Sequence, residues 1–247
     1  MTTTENPSNE TFDLVDYAND PERIGEISMW NPDVSSLIHA VEDNCDAIFT
    51  WGYDKGERKP LDKLYEKAKT SQWNGQTDLD WSIEVDPEAL ASAGARDPLE
   101  VSYFADNPES PIRNFNEKEW SQLGMESFNW SLSQFMHGEQ GALLCTAKIV
   151  ESVPWIDAKY YAATQVVDEA RHVEVFAQYL DSKLGGIGYP VNHHLGLLLD
   201  DILNDSRWDI TYLGMQIMVE GLALAAFGFM HQTTEEPLLK KLLRYVM

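Results

Sequence analysis

A carboxylate and an imidazole lie three residues apart at Glu169 and His172. On a helix, side chains at this spacing project from the same face about one turn apart, so both can bind one metal ion. Glu139 lies thirty residues before Glu169. That interval is long enough for one helix to end, to turn at Ser152-Val153-Pro154 and to return antiparallel. The spacing therefore predicts that Glu139 comes back toward the Glu-x-x-His pair.

Glu220 is a third carboxylate downstream, and each of the three acids interrupts an apolar stripe. A buried carboxylate without a partner is costly, so three of them on inward faces require shared positive charge. A pair of metal ions would supply that charge. Pairing of the acids with Arg171 and with tyrosine hydroxyls is the alternative interpretation. The residues of these stripes at helical intervals are Leu132, Phe135, Leu143 and Thr146 around Glu139, Val166, Val173, Phe176 and Leu180 around Glu169, and Leu213, Ile217, Ala223 and Phe227 around Glu220.

Composition limits the class of protein. The 247 residues include 18 basic and 41 acidic ones, for a formal net charge of -23. Such a surface disfavours nucleic acid and anionic membranes as partners. The two cysteines, Cys45 and Cys145, indicate neither a disulfide framework nor a cysteine metal site. No signal sequence is visible at the amino terminus, and the longest apolar run, Leu222 to Met230, is too short to cross a bilayer. We therefore expect a soluble, cytoplasmic protein that contacts no membrane.

The chain divides into three parts. Residues 1–30 are polar and aperiodic, which predicts an extended or disordered lead-in. Residues 31–116 contain a predicted helix from 31 to 51 and then a loop-rich arm, in which Trp73 and Trp81 are interpreted as aromatic anchors. Residues 117–247 predict a helical bundle, so the fold class is all-α with a loop-rich N-terminal arm. The predicted helices after residue 51 span about 60–71, 117–151, 156–184, 193–204 and 206–231, with another beginning near Glu235.

Between Glu117 and His231, the chain resembles the ferritin-like diiron carboxylate superfamily. The similarity is to its oxygenase and oxidase branch: ribonucleotide reductase small subunits, bacterial multicomponent monooxygenases, acyl-carrier-protein desaturases and the p-aminobenzoate N-oxygenase type. In that superfamily, each half of a four-helix bundle supplies a lone acidic residue and a Glu-x-x-His motif. The resemblance implies that Glu139, Glu169 and His172 form one half-site and that Glu220 is the lone carboxylate of the other.

The resemblance extends to the residues beside the ligands. The sequence DEARH, residues 168–172, is similar to the Asp-Glu-x-Arg-His form of the motif in several of these enzymes. This similarity implies that Asp168 and Arg171 support the ligands, with the aspartate orienting a ligand histidine. Such support is physically reasonable, because a metal-bound imidazole needs an acceptor for its other N–H. An ordinary solvated ion pair between Asp168 and Arg171 is the alternative.

The chain departs from the superfamily pattern in one respect, since no second Glu-x-x-His occurs in it. Repeating the thirty-residue interval from Glu220 points to position 250, which would continue the apolar stripe of Leu239 and Leu243. Three explanations stay open: a truncated sequence, a half-site supplied by another polypeptide, or a lost site on a retained fold. Truncation is the favoured expectation, because the last predicted helix has no stop signal before Met247. With four ligands, the chain is expected to hold one ion well and a second ion poorly.

The resemblance also implies a function. We expect a non-haem diiron oxidoreductase that uses dioxygen and an electron donor to hydroxylate, desaturate or N-oxygenate a small organic substrate. Iron is the expected metal, two ions in a complete site, with manganese as the alternative. A ferroxidase or metal-storage protein is a second hypothesis, which the long Trp-rich arm disfavours, and a non-catalytic helical module is a third. A homodimer is a candidate assembly.

Overall fold

The computed structural model describes residues 44–87, 89–90, 106–186 and 188–247. Within those ranges the chain consists of helices and loops, which confirms the predicted all-α class. The bounds of the helices after residue 51 agree closely with the apolar periodicity. The helices are α1 (Lys59–Thr70), α2 (Glu117–Ser152), α3 (Ile156–Leu184), α4 (His193–Asn204), α5 (Trp208–Thr211), a π-helical segment (Tyr212–Val219), α6 (Glu220–Thr233) and α7 (Pro237–Val246).

The first predicted helix differs from the structure where it can be compared. The lead-in, residues 1–30, and residues 31–43 of that helix lie outside the described residues. Residues 44–51 have no regular secondary structure. The backbone N–H of Ile48 donates to the carbonyl oxygen of Glu151 at 2.9 Å. A tertiary hydrogen bond to the end of α2 thus replaces the helical bond that the apolar spacing predicts.

The α2–α3 hairpin is the frame of the fold. A capping box begins α2, in which the Asn116 side chain accepts backbone N–H groups and the Glu119 side chain accepts the N–H of Asn116. The helix ends before Pro154, which cannot continue it. Gly185, with φ of 81°, ends α3 in the left-handed conformation that glycine adopts without strain. The two helices are the longest described and pack against each other antiparallel.

The main core lies between α2, α3, α6 and α7. Its centre is aromatic: the rings of Phe135, Phe176 and Phe227 contact one another at centroid distances of 4.9 to 6.2 Å. A smaller core joins α2, α4 and the π-helical segment. These two cores hold the elements that carry the predicted metal ligands. The buried members are Leu132, Phe176, Tyr179, Leu180, Leu238, Leu239, Leu242 and Leu243 in the main core, and Cys145, Ile202 and Met215 in the smaller one.

The stretch from Trp208 to Thr233 is continuous through α5, the π-helical segment and α6, and we call it stretch 208–233. Among the described helices, it alone is long and apolar enough to cross a bilayer, judged by length and composition. The apolar run from Leu222 to Met230 is shorter than this stretch, because Glu220 separates it from the uncharged residues 210–219. Only 11% of the stretch's most apolar window is buried. Large exposed side chains include Leu213, Ile217, Met218, Leu222, Leu224 and Phe229.

Candidate metal centre

Three of the predicted ligands lie together between α2 and α3. One ligand atom from each of Glu139, Glu169 and His172 lies within 4.8 Å of the other two. The Nδ1 atom of His172 is 3.0 Å from Oε2 of Glu139 and 3.2 Å from Oε2 of Glu169. Both glutamates are only 5% exposed. Two buried carboxylates this close to one imidazole nitrogen form a group that requires a cation or a proton between its members.

The local sequence explains this convergence. The three-residue spacing places Glu169 and His172 on one face of α3, and the hairpin brings Glu139 of α2 opposite them. A glycine then allows a third helix to approach. A Cβ atom on Gly141 would lie 2.5 Å from Leu199 Cδ2, so its absence permits α4 to pack against α2 two residues from Glu139.

The electrostatics of the cluster favour positive charge at its centre. Burial raises the pKa of Glu169 to about 7, and the Glu139 charge adds to this effect while His172 opposes it. Burial lowers the pKa of His172, but hydrogen bonds and charges from Glu139 and Glu169 outweigh it and raise the pKa to about 10. A proton on His172 Nδ1 therefore bridges the two carboxylate oxygens. A divalent cation would replace that proton with more positive charge on the same three atoms.

Glu220, the fourth predicted ligand, does not belong to the group within 4.8 Å. It is the first residue of α6 and directly follows the π-helical segment. Burial raises its pKa to about 7; the Glu169 charge also raises it and His172 lowers it. The Glu220 carboxyl group is therefore close enough to Glu169 and His172 for their charges to act on it. π-Helical turns are frequent beside functional sites, which agrees with this placement.

Asp168 and Arg171 pair with each other by an ion pair and hydrogen bond. The aspartate therefore contacts the guanidinium and not a ligand histidine, which differs from the role that the resemblance implies. Arg171 also donates to the side chain of Gln72 at 2.8 Å and to the carbonyl oxygen of Trp73 at 2.9 Å. The pair is thus more than a solvated surface contact, because it fastens loop 71–87 to α3.

Loop 71–87 brings an aromatic residue next to a predicted ligand. The ring of Trp73 stacks on that of His172 at a centroid distance of 6.3 Å and on that of Tyr245 in α7 at 4.9 Å. Trp73 and Trp81 pack against the main core. Both tryptophans are predicted from the sequence to be anchors. No local pattern places Trp73 beside His172, because the contact joins residues 99 positions apart.

Two glutamines and Thr146 form hydrogen bonds near the carboxylates that the sequence pattern did not predict. Gln165 donates to the side chain of Gln216 at 2.9 Å, and Gln216 donates to the hydroxyl of Thr146 at 3.3 Å. A signal for them exists in the sequence. Gln165 precedes Glu169 by four residues and Gln216 precedes Glu220 by four, so each glutamine shares a helical face with an acid.

A cavity of about 280 Å³ opens between α2, α4 and α6 and reaches two of the predicted ligands. Glu139 and Glu220 both line it, so the cavity connects the cluster with the fourth carboxylate. Its walls are mostly apolar. The remaining lining residues are Gln134, Phe135, Gly138, Ala142, Leu195, Leu198, Val219, Leu222, Ala223, Ala226 and Phe227.

Comparison of the chain with protein-family models, with characterised proteins and with solved structures finds no match. The likeness to diiron proteins therefore rests on the motif residues themselves. Their chemistry fits a metal: two carboxylate oxygens and one imidazole nitrogen are ligands that suit divalent iron, manganese or zinc.

Proposed function

We propose that this protein is a non-haem diiron oxidoreductase. Glu139, Glu169 and His172 hold the first ion, and Glu220 contributes to the second. The observation that carries the proposal is the convergence of three buried ligand groups from two helices, with a fourth acid facing them from another helix. Manganese would suit the same ligands.

Two such ions, when bound, would supply the electrons and the Lewis acidity that activate dioxygen, and an external electron donor would replace the electrons used. The chain prepares the site for this chemistry. Binding of a cation displaces the proton of His172 and favours ionised Glu169 and Glu220, since each ligand binds metal in its deprotonated form. The mostly apolar walls of the cavity and the burial of Glu139 lower the local dielectric constant, which strengthens the attraction of the two carboxylates for cations.

The cavity favours an organic substrate over storage or oxidation of iron itself. Its volume of about 280 Å³ holds roughly nine groups the size of a water molecule, at about 30 Å³ each. Besides Glu139 and Glu220, its polar lining residue is Gln134, whose amide is bound to the backbone of Pro190 and Asn192. We infer a small, uncharged and largely apolar substrate that is hydroxylated, desaturated or N-oxygenated beside the two acids.

Anaerobic titration with ferrous iron tests the proposal. We expect one tightly bound iron per chain and a weaker second one, followed by consumption of dioxygen when oxygenated buffer is admitted, continuing when a reductant is also present. Glu169→Gln should abolish tight binding. Glu174→Gln is the matched control, because Glu174 lies exposed on the same helix and accepts a hydrogen bond from Gln76. Absence of iron binding by the wild-type chain, or full binding by Glu169→Gln, would contradict the proposal.

A further inference from the structure

The three elements that carry the predicted ligands are joined by a polar cross-link beside the acids. Thr146 belongs to α2, Gln165 to α3 and Gln216 to the π-helical segment. The amide of Gln165 donates to Gln216 Oε1 at 2.9 Å, and Gln216 Nε2 donates to Thr146 Oγ1 at 3.3 Å. Thr146 is fully buried. Since buried polar groups must be hydrogen-bonded, each of the three side chains constrains the other two.

This cross-link lies one to two helical turns from the acids along each element. Gln165 and Gln216 each precede an acid by four residues, and Thr146 follows Glu139 by seven residues, or about two turns. Positions four and seven residues apart share one face of a helix. The cross-link therefore connects the same three inward faces that carry Glu139, Glu169 and Glu220.

The π-helical segment makes the direction of Glu220 depend on such support. The backbone N–H of Glu220 donates to the carbonyl oxygen of Met215, five residues earlier. A bond of this kind inserts an extra residue into the turn, which rotates every following side chain relative to a regular α-helix. Met215 is buried in the smaller core and anchors the segment there. Leu213 and Ile217, the other neighbours of this turn, are 47% and 57% exposed and add little packing, so the hydrogen bonds of Gln216 are the side-chain contacts that tie the segment to both α2 and α3.

We propose that Gln216, held by Gln165 and Thr146, fixes the rotation of the π-helical segment and so directs Glu220 toward the metal cluster. Gln216 is a positioning residue in this role, because it acts through Glu220. The inference rests on the proposed metal site. It adds a residue whose removal weakens metal binding while the three ligands of the α2–α3 hairpin stay in place.

Anaerobic titration with Co(II), followed by its visible absorption bands, tests the role of Gln216. Glu220→Gln should weaken Co(II) binding and change the bands, because one ligand is lost. Gln216→Leu should produce the same change in the bands and weaken binding about tenfold to a hundredfold, the usual loss when a residue that orients a ligand is removed. The double variant should bind no more weakly than Glu220→Gln alone, since two residues that act through one ligand are not additive.

Variants of two buried threonines provide the controls. Thr146→Val removes the hydroxyl of the cross-link and should weaken Co(II) binding, whereas Thr146→Ser keeps the hydroxyl and should bind like the wild type. Thr211→Val also removes a buried hydroxyl from stretch 208–233, one that donates to the backbone of Ile202 and Arg207. It should leave the absorption bands unchanged. Circular dichroism of each metal-free variant establishes that it is folded.

Each outcome decides a separate point. A wild-type chain that binds no Co(II) would overturn the metal site together with this inference. Unchanged binding by Glu220→Gln would remove Glu220 from the site, and the role of Gln216 with it. A normal Glu220 effect combined with wild-type binding by folded Gln216→Leu, or with additive losses in the double variant, would overturn the positioning role alone.

Discussion

The α2–α3 hairpin and stretch 208–233 both carry acids of the candidate site, but they are stabilised in different ways. The hairpin consists of two long regular helices, and its Glu139, Glu169 and His172 already lie in mutual contact. Stretch 208–233 contains a π-helical segment, exposes half of its apolar side chains and contributes Glu220 alone. One half of the site is therefore assembled by its own fold, whereas the other half depends on a few contacts.

This difference has a thermodynamic consequence. In the hairpin, the protonated His172 offsets part of the negative charge of Glu139 and Glu169, so the cluster has a cationic partner without a metal. Glu220 is half-buried and has no cationic partner at hydrogen-bond distance among the described residues, so its raised pKa favours the neutral carboxyl group. We therefore expect that replacing His172 lowers the free energy of unfolding of the metal-free protein. Replacing Glu220 should raise it.

The largest effect is expected for His172→Ala in the hairpin. The change leaves two buried carboxylates without their shared proton, which should lower the free energy of unfolding of the metal-free protein by about 3 kcal/mol at pH 7. The histidine has a pKa of about 10 in the fold against an ordinary value of 6.5. Its stabilisation is thus complete below pH 6.5 and is lost as the pH rises through 10.

Urea unfolding between pH 6 and pH 10 measures this prediction. The difference between wild type and His172→Ala should be largest near pH 6.5 and should shrink as the pH rises. His231→Ala is the control, because His231 lies near the end of α6, three turns beyond Glu220. A constant difference across this pH range would show that His172 stabilises the fold by packing and not by its charge.

Glu220→Gln in stretch 208–233 should have the opposite sign. The pKa of Glu220 is about 7 in the fold against an ordinary value of 4.5. Its protonated form is therefore favoured in the fold, and the associated stability is present below pH 4.5 and lost as the pH rises through 7. At pH 8, the glutamine variant of the metal-free protein should be more stable than wild type by about 2 kcal/mol.

Thermal unfolding at pH 4.5 and pH 8 tests this reversal. The variant should gain stability at pH 8 and little at pH 4.5, while the exposed Glu235→Gln should change neither. In the presence of Co(II), the order should invert at pH 8, because the ionised Glu220 then binds the metal. Equal stability of wild type and Glu220→Gln at both pH values would mean that Glu220 is hydrated in solution.

The helices after residue 51 could be predicted from the sequence, because apolar residues recur at helical intervals and Pro154 and Gly185 mark the ends of the hairpin helices. The same spacing wrongly predicted a helix for residues 44–51, where a tertiary hydrogen bond replaces the helical one. The meeting of Glu139 with the Glu-x-x-His pair follows from the same periodicity and from the length of the hairpin. The π-helical segment could not be predicted, since its residues have an ordinary helical pattern. The hydrogen bonds of Arg171 to Gln72 and Trp73 could not be predicted either, because these acceptors lie in loop 71–87, about a hundred residues earlier in the chain.

Gly141 in α2 and Gly214 in the π-helical segment both pack against α4, so they compare how tightly the two regions are held. Gly141→Ala in α2 would place its Cβ 2.5 Å from Leu199, and the buried hairpin can move little, so we expect a loss of about 1–3 kcal/mol. Gly214→Ala in the π-helical segment would approach Ile202 to 2.8 Å, but the exposed segment can shift, so the loss should be smaller. Gly138→Ala, with nothing within 4 Å of the new Cβ, should stabilise α2 by up to about 1 kcal/mol.

Denaturant unfolding of the three alanine variants gives the order directly. Metal binding provides a second measurement: Gly141→Ala should weaken it, since Gly141 lies two residues from Glu139. A Gly214→Ala variant that loses more stability than Gly141→Ala would contradict the conclusion that the π-helical segment is the more adjustable of the two.

The smallest effect is expected where loop 71–87 meets the hairpin. Arg171→Lys keeps the charge beside Asp168 but cannot reproduce the planar donors that reach Gln72 and Trp73. The loss should be about 1 kcal/mol, because Arg171 Nε is buried without a hydrogen-bond partner among the described residues and lysine relieves that cost. Arg207→Lys is the matched control, since the Arg207 side chain is 64% exposed and its pairing with Asp205 should contribute little.

The stability of both variants is measured by urea unfolding, and tryptophan fluorescence reports the environment of Trp73. If Arg171→Lys matched Arg207→Lys in stability and left the fluorescence unchanged, the loop would be held by the stacking of Trp73 on His172 and Tyr245, and the arginine would not be needed to keep the hairpin ligands covered.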